Sequence, residues 1–288
     1  MATYETALDR SIILRETKIA YRIIGLTSGI PLVIAVHFRG TMDHWDPALI
    51  NPLATHRPVI LLDSPGVDRS GGDVPETIAG FAQVYIDVIK ALGYHQIDMM
   101  GFSFGGAVAQ MVALNAPDLV RRLILCGTIP SIGPDVVPGD ATAFGKLLEA
   151  TTLQQYCDAF LSAFFSASDH AQAKGEDVWE RIAGSRPNDL TLVDRNVAGK
   201  QAAAFSRFMN PDDAEQGSYN RLHELRIPVL VLSGSDDILM PTENSILLWR
   251  KLTNAARHLH LYPASGHGFL FQYAGEVALL VNNFLSSD

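Results

Sequence analysis

The stretch MMGFSFGGAVAQ, residues 99–110, sets Ser103 between Gly101 and Gly105. A serine hydroxyl becomes a competent nucleophile when a histidine takes its proton and a carboxylate orients that histidine. The residues before it, QIDMM, read as a strand, and those after it, GAVAQMVALN, as a helix. That is the setting of a G-x-S-x-G nucleophile elbow, in which a strained serine backbone exposes Oγ and flanking side chains would strike the adjacent strand or helix. Gly106 permits closer packing still. Taken alone, the pentapeptide is equally well explained as a tight turn of small residues, so other residues must decide.

Two later segments offer the partners. LSGSDDILMP follows one apolar strand and carries Asp236 and Asp237, and YPASGHGFLF follows the last strand and carries His267. The order is serine, acid, histidine. Each lies where a strand ends, and open α/β sheets place their sites beyond the carboxyl ends of the strands.

The elements that must position these residues read as alternating strands and helices. PLVIAVH, RPVILLD, QIDMMG, RRLILCG, IPVLVLSG and RHLHLYP are short apolar runs bounded by turn residues, which predicts strands buried on both faces. TKIAYRIIG, with Ile19, Tyr21 and Ile23 alternating, pairs with SIILRE as an edge hairpin. Ile78, Phe81, Tyr85, Val88 and Leu92 recur at helical spacing. The expected fold is α/β, with a mostly parallel central sheet, antiparallel N-terminal strands and helices on both faces. The interval between Gly127 and Ile227 is too long for an ordinary crossover and holds helical pieces such as LLEATTLQQYCDAFLSAFF and GEDVWERIA. Residues 131–216 are therefore expected to form a helical cap inserted into a core of 1–130 and 217–288.

With these motifs in place, the chain resembles the α/β-hydrolase superfamily, in particular capped esterases, lactonases and cofactor-free haloperoxidases, over nearly its whole length and least in the cap. The family runs serine, acid, histidine along the chain. Its G-x-x-D-x-x-x-P pattern matches Gly234, Asp237 and Pro241, which implies Asp237 as the acid, with Asp236 as the runner-up. Its Gly-His motif matches Gly266 and His267. The resemblance also implies an oxyanion hole formed by the amide of Phe104 and by a second amide from the loop after the strand that in the family carries His-Gly. Here that loop reads VHFRGTMDHW, with Phe38 in the usual glycine position. The alignment points to the Arg39 amide, a shifted loop to that of Phe38, and the Arg39 guanidinium is expected at the pocket mouth on a polar or anionic part of the substrate. LLDSPGVDRSGG resembles the family's D-x-x-G-x-G-x-S loop, with Asp68 replacing the second glycine, and is read as structural. Aspartate tolerates the left-handed backbone better than most residues.

Composition narrows the functional classes. The 288 residues are 48% hydrophobic and 18% charged, with a net charge of −9 and no run of Lys or Arg, which favours a small-molecule substrate over nucleic acid or an anionic membrane. The N-terminal residues carry acids and no apolar h-region, and no apolar run approaches the ~18 residues of a membrane span, so a cytoplasmic location is expected. Cys126 and Cys157 lack metal-ligand spacing and read as buried free thiols. GDATAFGKL fails as a phosphate loop, because five residues separate its glycines and Leu147 stands where Ser or Thr is needed. A G-x-G-x-x-G after the first strand is missing, against a nicotinamide enzyme. His258 and His260 share a strand face without a carboxylate or cysteine partner, so no metal is expected.

The expected activity is hydrolysis of a small, mainly apolar ester or lactone through an acyl-enzyme on Ser103, with no cofactor. Phe38, Phe102, Phe160, Phe164 and Trp179 are expected to line the substrate pocket. A C–C hydrolase or perhydrolase using the same triad, or a weakly catalytic small-molecule receptor, are the alternatives, because fold does not choose among them.

Overall fold

In the computed structural model, which describes residues 1–287, eight strands form one sheet in the order β1-β2-β4-β3-β5-β6-β7-β8. The strands are β1 Arg10–Leu14, β2 Thr17–Gly25, β3 Leu32–Ala35, β4 Pro58–Leu62, β5 Ile97–Phe102, β6 Val120–Cys126, β7 Val229–Gly234 and β8 Arg257–Tyr262. The first two form the antiparallel hairpin, and β2 runs antiparallel to β4. All other pairings are parallel. The hairpin turns on Arg15 and Glu16, both at positive φ (45° and 73°), the backbone that a two-residue turn needs to match the twist of its strands.

The central strands β3 to β7 are buried apart from the half-buried Arg121 near the start of β6: Val33, Leu123, Leu125 and Val231 are fully inaccessible, each worth roughly 1.5–3 kcal/mol relative to exposure. Two strands depart from expectation. β8 is an edge strand, so His258, His260 and Leu261 face solvent rather than a second layer. β2 lies one strand inside the edge, and even its polar Arg22 is buried, held by Asp9 and Asp43.

Helices α1 (Pro47–Ala54), α2 (Ile78–Ala91) and α3 (Phe104–Asn115) connect the first strands. Between β6 and β7 lie α4 (Ala141–Glu149), α5 (Leu153–Phe164), α6 (Asp169–Ser185) and α7 (Arg195–Phe208), all within the expected insertion. The long helical piece read from the sequence breaks at Ala150–Thr152, where the Thr152 hydroxyl accepts the Gln155 N–H and starts α5 afresh. The chain closes with α8 (Thr242–Lys251), the short α9 (Phe269–Gln272) and α10 (Ala274–Ser286), which packs on α1, while α2 packs on α3. Cys126 and Cys157 are free and buried. Among the described residues no helix is long and apolar enough to cross a membrane.

Candidate active site

The strand order reverses around β3 and β5, so the loops leaving these neighbouring strands, with Phe38 on one and Ser103 on the other, open side by side at the carboxyl edge. Asp237 follows β7 and His267 follows β8 on the same edge.

Ser103 sits at the turn from β5 into α3 with φ 57° and ψ −121°. Four hydrogen bonds hold this costly backbone: its N–H donates to Cys126 O (2.9 Å), and its carbonyl accepts from Gly106 N (2.8 Å), Ala107 N (3.3 Å) and Thr128 Oγ1 (2.8 Å). The flanking glycines are needed for close approach. A Cβ at Gly101 would lie 2.2 Å from Gly105 O, and one at Gly105 would lie 2.2 Å from Ala35 O.

Asp237 and His267 meet with Oδ2 and Nδ1 2.7 Å apart, both fully buried. The other carboxylate oxygen accepts the amides of Leu239 (2.9 Å) and Met240 (2.8 Å), so three hydrogen bonds hold the Asp237 carboxylate. Gly127, at φ 45°, packs against this pair, and a Cβ there would lie 3.4 Å from both Asp237 Oδ2 and His267 Nδ1. His267 Nε2 is buried and has no partner among the described residues, and Ser103 Oγ likewise makes no hydrogen bond. Both residues line one cavity. Asp236, by contrast, is exposed and bonded to the Ser235 hydroxyl.

The structure corrects the expectation for Arg39. Its amide donates to Gln201 Oε1 on α7 at 3.0 Å, and its side chain is buried at 1% exposure, away from the cavity lining. The guanidinium binds the carbonyl oxygens of Leu147 (2.7 Å), Leu148 (3.2 Å), Ala150 (3.0 Å) and Val193, with Nε also 3.2 Å from Val193 O. Carbonyl groups thus take the place of the polar or anionic part of the substrate expected there, and burial pushes the guanidinium pKa down. Phe38 does line the cavity, and its amide has no acceptor among the described residues; the same holds for the amide of Phe104 at the start of α3.

Of the other expected pocket residues, Phe164 lines the cavity, but Phe102, Phe160 and Trp179 do not. Phe102 lies behind the histidine, ring centroids 4.8 Å apart, and Phe160 lies behind Phe164 at 4.2 Å, with Trp179 beyond it at 5.4 Å. They buttress the wall. The lining that sequence reasoning missed comes from Phe144 and Leu147 of α4, Phe205 of α7, Leu239 and Met240 beside Asp237, His37, and the side chain of Phe104. Phe144 and Leu147 belong to the segment rejected as a phosphate loop, where their spacing of three along a helix was the available signal. His37 is held neutral by burial, its pKa lowered to about 4, and its Nδ1 lies 2.9 Å from Phe38 O.

The loop after β4 plays a supporting part. Asp63 Oδ1 accepts the Met42 amide (2.8 Å), and Ser70 Oγ donates to Asp63 O while accepting the Ala20 amide. Asp68 adopts φ 45°, the left-handed backbone expected where the pattern carries glycine.

Residues 31–273 match the family model described as alpha/beta hydrolase fold. The chain is 30% identical over 227 residues to a 2-hydroxymuconate semialdehyde hydrolase of Pseudomonas putida, covering 77% of this chain and 73% of that one. It is 27% identical over 233 residues to a poly(3-hydroxyalkanoate) depolymerase of Ectopseudomonas oleovorans, covering 80% and 75%. Among solved structures, an alpha/beta hydrolase fold protein from Chitinophaga pinensis superposes with a TM-score of 0.87 at 30% identity, covering 99% of this chain and all of that one.

Proposed function

Since the chain belongs to the alpha/beta hydrolase fold family and its relatives are named hydrolases, we propose that it is a serine hydrolase acting on a small, mainly apolar carboxylic ester or lactone through an acyl-enzyme on Ser103. The observation that carries this reading is the shared cavity: Ser103 and His267 line it together, and His267 is bonded to Asp237 at 2.7 Å.

Asp237 accepts a hydrogen bond from His267 Nδ1–H and stays ionised, which fixes the tautomer and leaves the Nε2 lone pair free to take the serine proton. Ser103 Oγ then attacks the acyl carbon. Negative charge grows on the carbonyl oxygen, where the amides of Phe104 and Phe38 have no competing protein acceptor and the start of α3 adds its dipole. His267 gives the proton to the leaving alcohol, and the same base then activates water to release the acid. Donors of this kind are each worth about 2.7–4 kcal/mol of transition-state stabilisation.

The cavity walls favour an uncharged acyl group. Phe38, Phe104, Phe144, Leu147, Phe164, Phe205, Leu239 and Met240 are apolar, and no lysine or arginine stands among the lining residues to receive a substrate carboxylate. The surrounding helices α4, α5 and α7 act in this reading as a cap that sets acyl length. The direct test is p-nitrophenol release from short and medium acyl esters by the wild type and Ser103→Ala, with inactivation by a fluorophosphonate and mass-spectrometric location of the adduct on Ser103.

A further inference from the structure

The peptide between Phe38 and Arg39 is fixed from both sides. Its carbonyl oxygen lies 2.9 Å from His37 Nδ1, and its N–H donates to Gln201 Oε1 at 3.0 Å. Rotating this plane breaks both bonds at once. Arg39 holds φ 59°, a conformation that side chains with a Cβ rarely adopt, and the turn is closed by the Gly40 N–H on His37 O (3.0 Å).

Arg39 then reaches into the inserted helices. Leu147, Leu148 and Ala150 present carbonyls at the carboxyl end of α4, where helix carbonyls lack intrahelical donors and the dipole favours a cation. Val193 stands just before α7, and Gln201 is on that helix. A buried cation with no carboxylate partner among the described residues is held by these carbonyls, a planar multi-donor arrangement that an ammonium cannot reproduce, with the Tyr156 ring centroid 5.7 Å from its guanidinium carbon.

We propose that Arg39 and Gln201 are positioning residues for the oxyanion loop: through them α4 and α7 hold the Phe38–Arg39 peptide plane, which anchors the carboxyl side of Phe38 and so the place of that residue, whose own N–H lies in the preceding peptide plane. This rests on the serine-hydrolase reading above. Oxyanion donors act at about 2.7–3.1 Å from the developing charge, so a displacement of α4 or α7 that shifts Phe38 through this plane weakens the transition state more than the ground state. Phe144, Leu147 and Phe205 on the same two helices line the cavity, so the elements that contact the acyl group also set the oxyanion loop.

Gln201→Met keeps length and removes the acceptor, and Gln201→Glu keeps an acceptor oxygen. With p-nitrophenyl butyrate, Gln201→Met is expected to lose about tenfold or more in kcat with KM nearly unchanged, and Gln201→Glu to recover most of it. Binding of an alkyl trifluoromethyl ketone, which forms a tetrahedral adduct on the serine, should weaken by the same factor. Hydrogen exchange over residues 37–40 should quicken in Gln201→Met and stay unchanged over 103–106. If Gln201→Met does not fold, Arg39→Lys receives the same measurements with the same expectation. A folded variant with wild-type kcat and wild-type ketone affinity overturns the proposal. A wild type that turns over no ester removes the hydrolase reading instead. Exchange over 37–40 then decides: faster exchange in the variant supports the clamp, and an unchanged rate overturns it.

Discussion

Asp237 Oδ2 and His267 Nδ1 stand 2.7 Å apart with both side chains inaccessible to solvent. Because the second oxygen of the carboxylate accepts the Leu239 and Met240 amides, the aspartate is fixed independently of the histidine. The imidazole inherits that orientation, and its Nε2 is buried with no partner among the described residues.

Asp237→Asn replaces an acceptor by a group able to offer an N–H, which favours the wrong histidine tautomer. A loss of about 10⁴-fold in kcat is expected, with a near-native fold. Asp236→Asn, at the exposed neighbour, should leave kcat within about twofold by the same kinetic reading. Steady-state kinetics on both variants distinguishes the two aspartates.

Glycines separate sharply by location. At Gly105 an added Cβ meets backbone at 2.2 Å, and overpacking there should cost about 3 kcal/mol or more, seen as a large drop in urea midpoint. Gly145 and Gly199 lie within α4 and α7 with open space around them, so Gly145→Ala or Gly199→Ala should stabilise by about 0.5–1 kcal/mol.

The cavity wall and its buttress should respond differently to truncation. Leu147→Ala or Phe205→Ala enlarges the cavity, and kcat/KM is expected to shift toward longer acyl groups by about 10-fold or more. Phe160→Ala, one layer behind, should cost about 3–5 kcal/mol of stability and leave the relative preference among acyl chains unchanged. A chain-length series with a parallel denaturation curve checks both.

Burial keeps His37 and His44 neutral, with values of about 4 and about 3 against an ordinary 6.5. The unfolded chain therefore takes up protons that the native state refuses as pH falls below 6.5. Stability is fully present above that value and is lost toward pH 4 for His37 and pH 3 for His44, at about 1.4 kcal/mol per pH unit for each. Asp63, raised to about 7 by burial, has the opposite sign: its contribution is present below the ordinary 3.8 and is lost as pH rises toward 7. Between pH 4 and 6.5 one histidine's slope remains, so the native state weakens on acidification. His44→Gln should bring this slope close to flat, read from urea midpoints across that range.

The sheet, the elbow and the order of Ser103, Asp237 and His267 were legible because each rests on local pattern: apolar runs between turns, glycines where a Cβ has no room, and polar residues at strand ends. The interior of the site was not. Phe102, Phe160 and Trp179 share the apolar character of Phe144 and Phe205, and only the packing of α4 to α7 decides which faces the serine and which stands behind. Arg39 was misread for a related reason. Sequence shows a cation in the loop after β3, but its partners are backbone carbonyls more than a hundred residues away, and every residue type has one of those.

The account turns on acyl transfer to Ser103, and rapid-mixing measurement of p-nitrophenol release from p-nitrophenyl butyrate tests it most directly. A burst approaching one equivalent per active site followed by slower turnover, both absent in folded Ser103→Ala, is the predicted result. Equal release by wild type and Ser103→Ala, or none by the folded wild type across the acyl series, contradicts it.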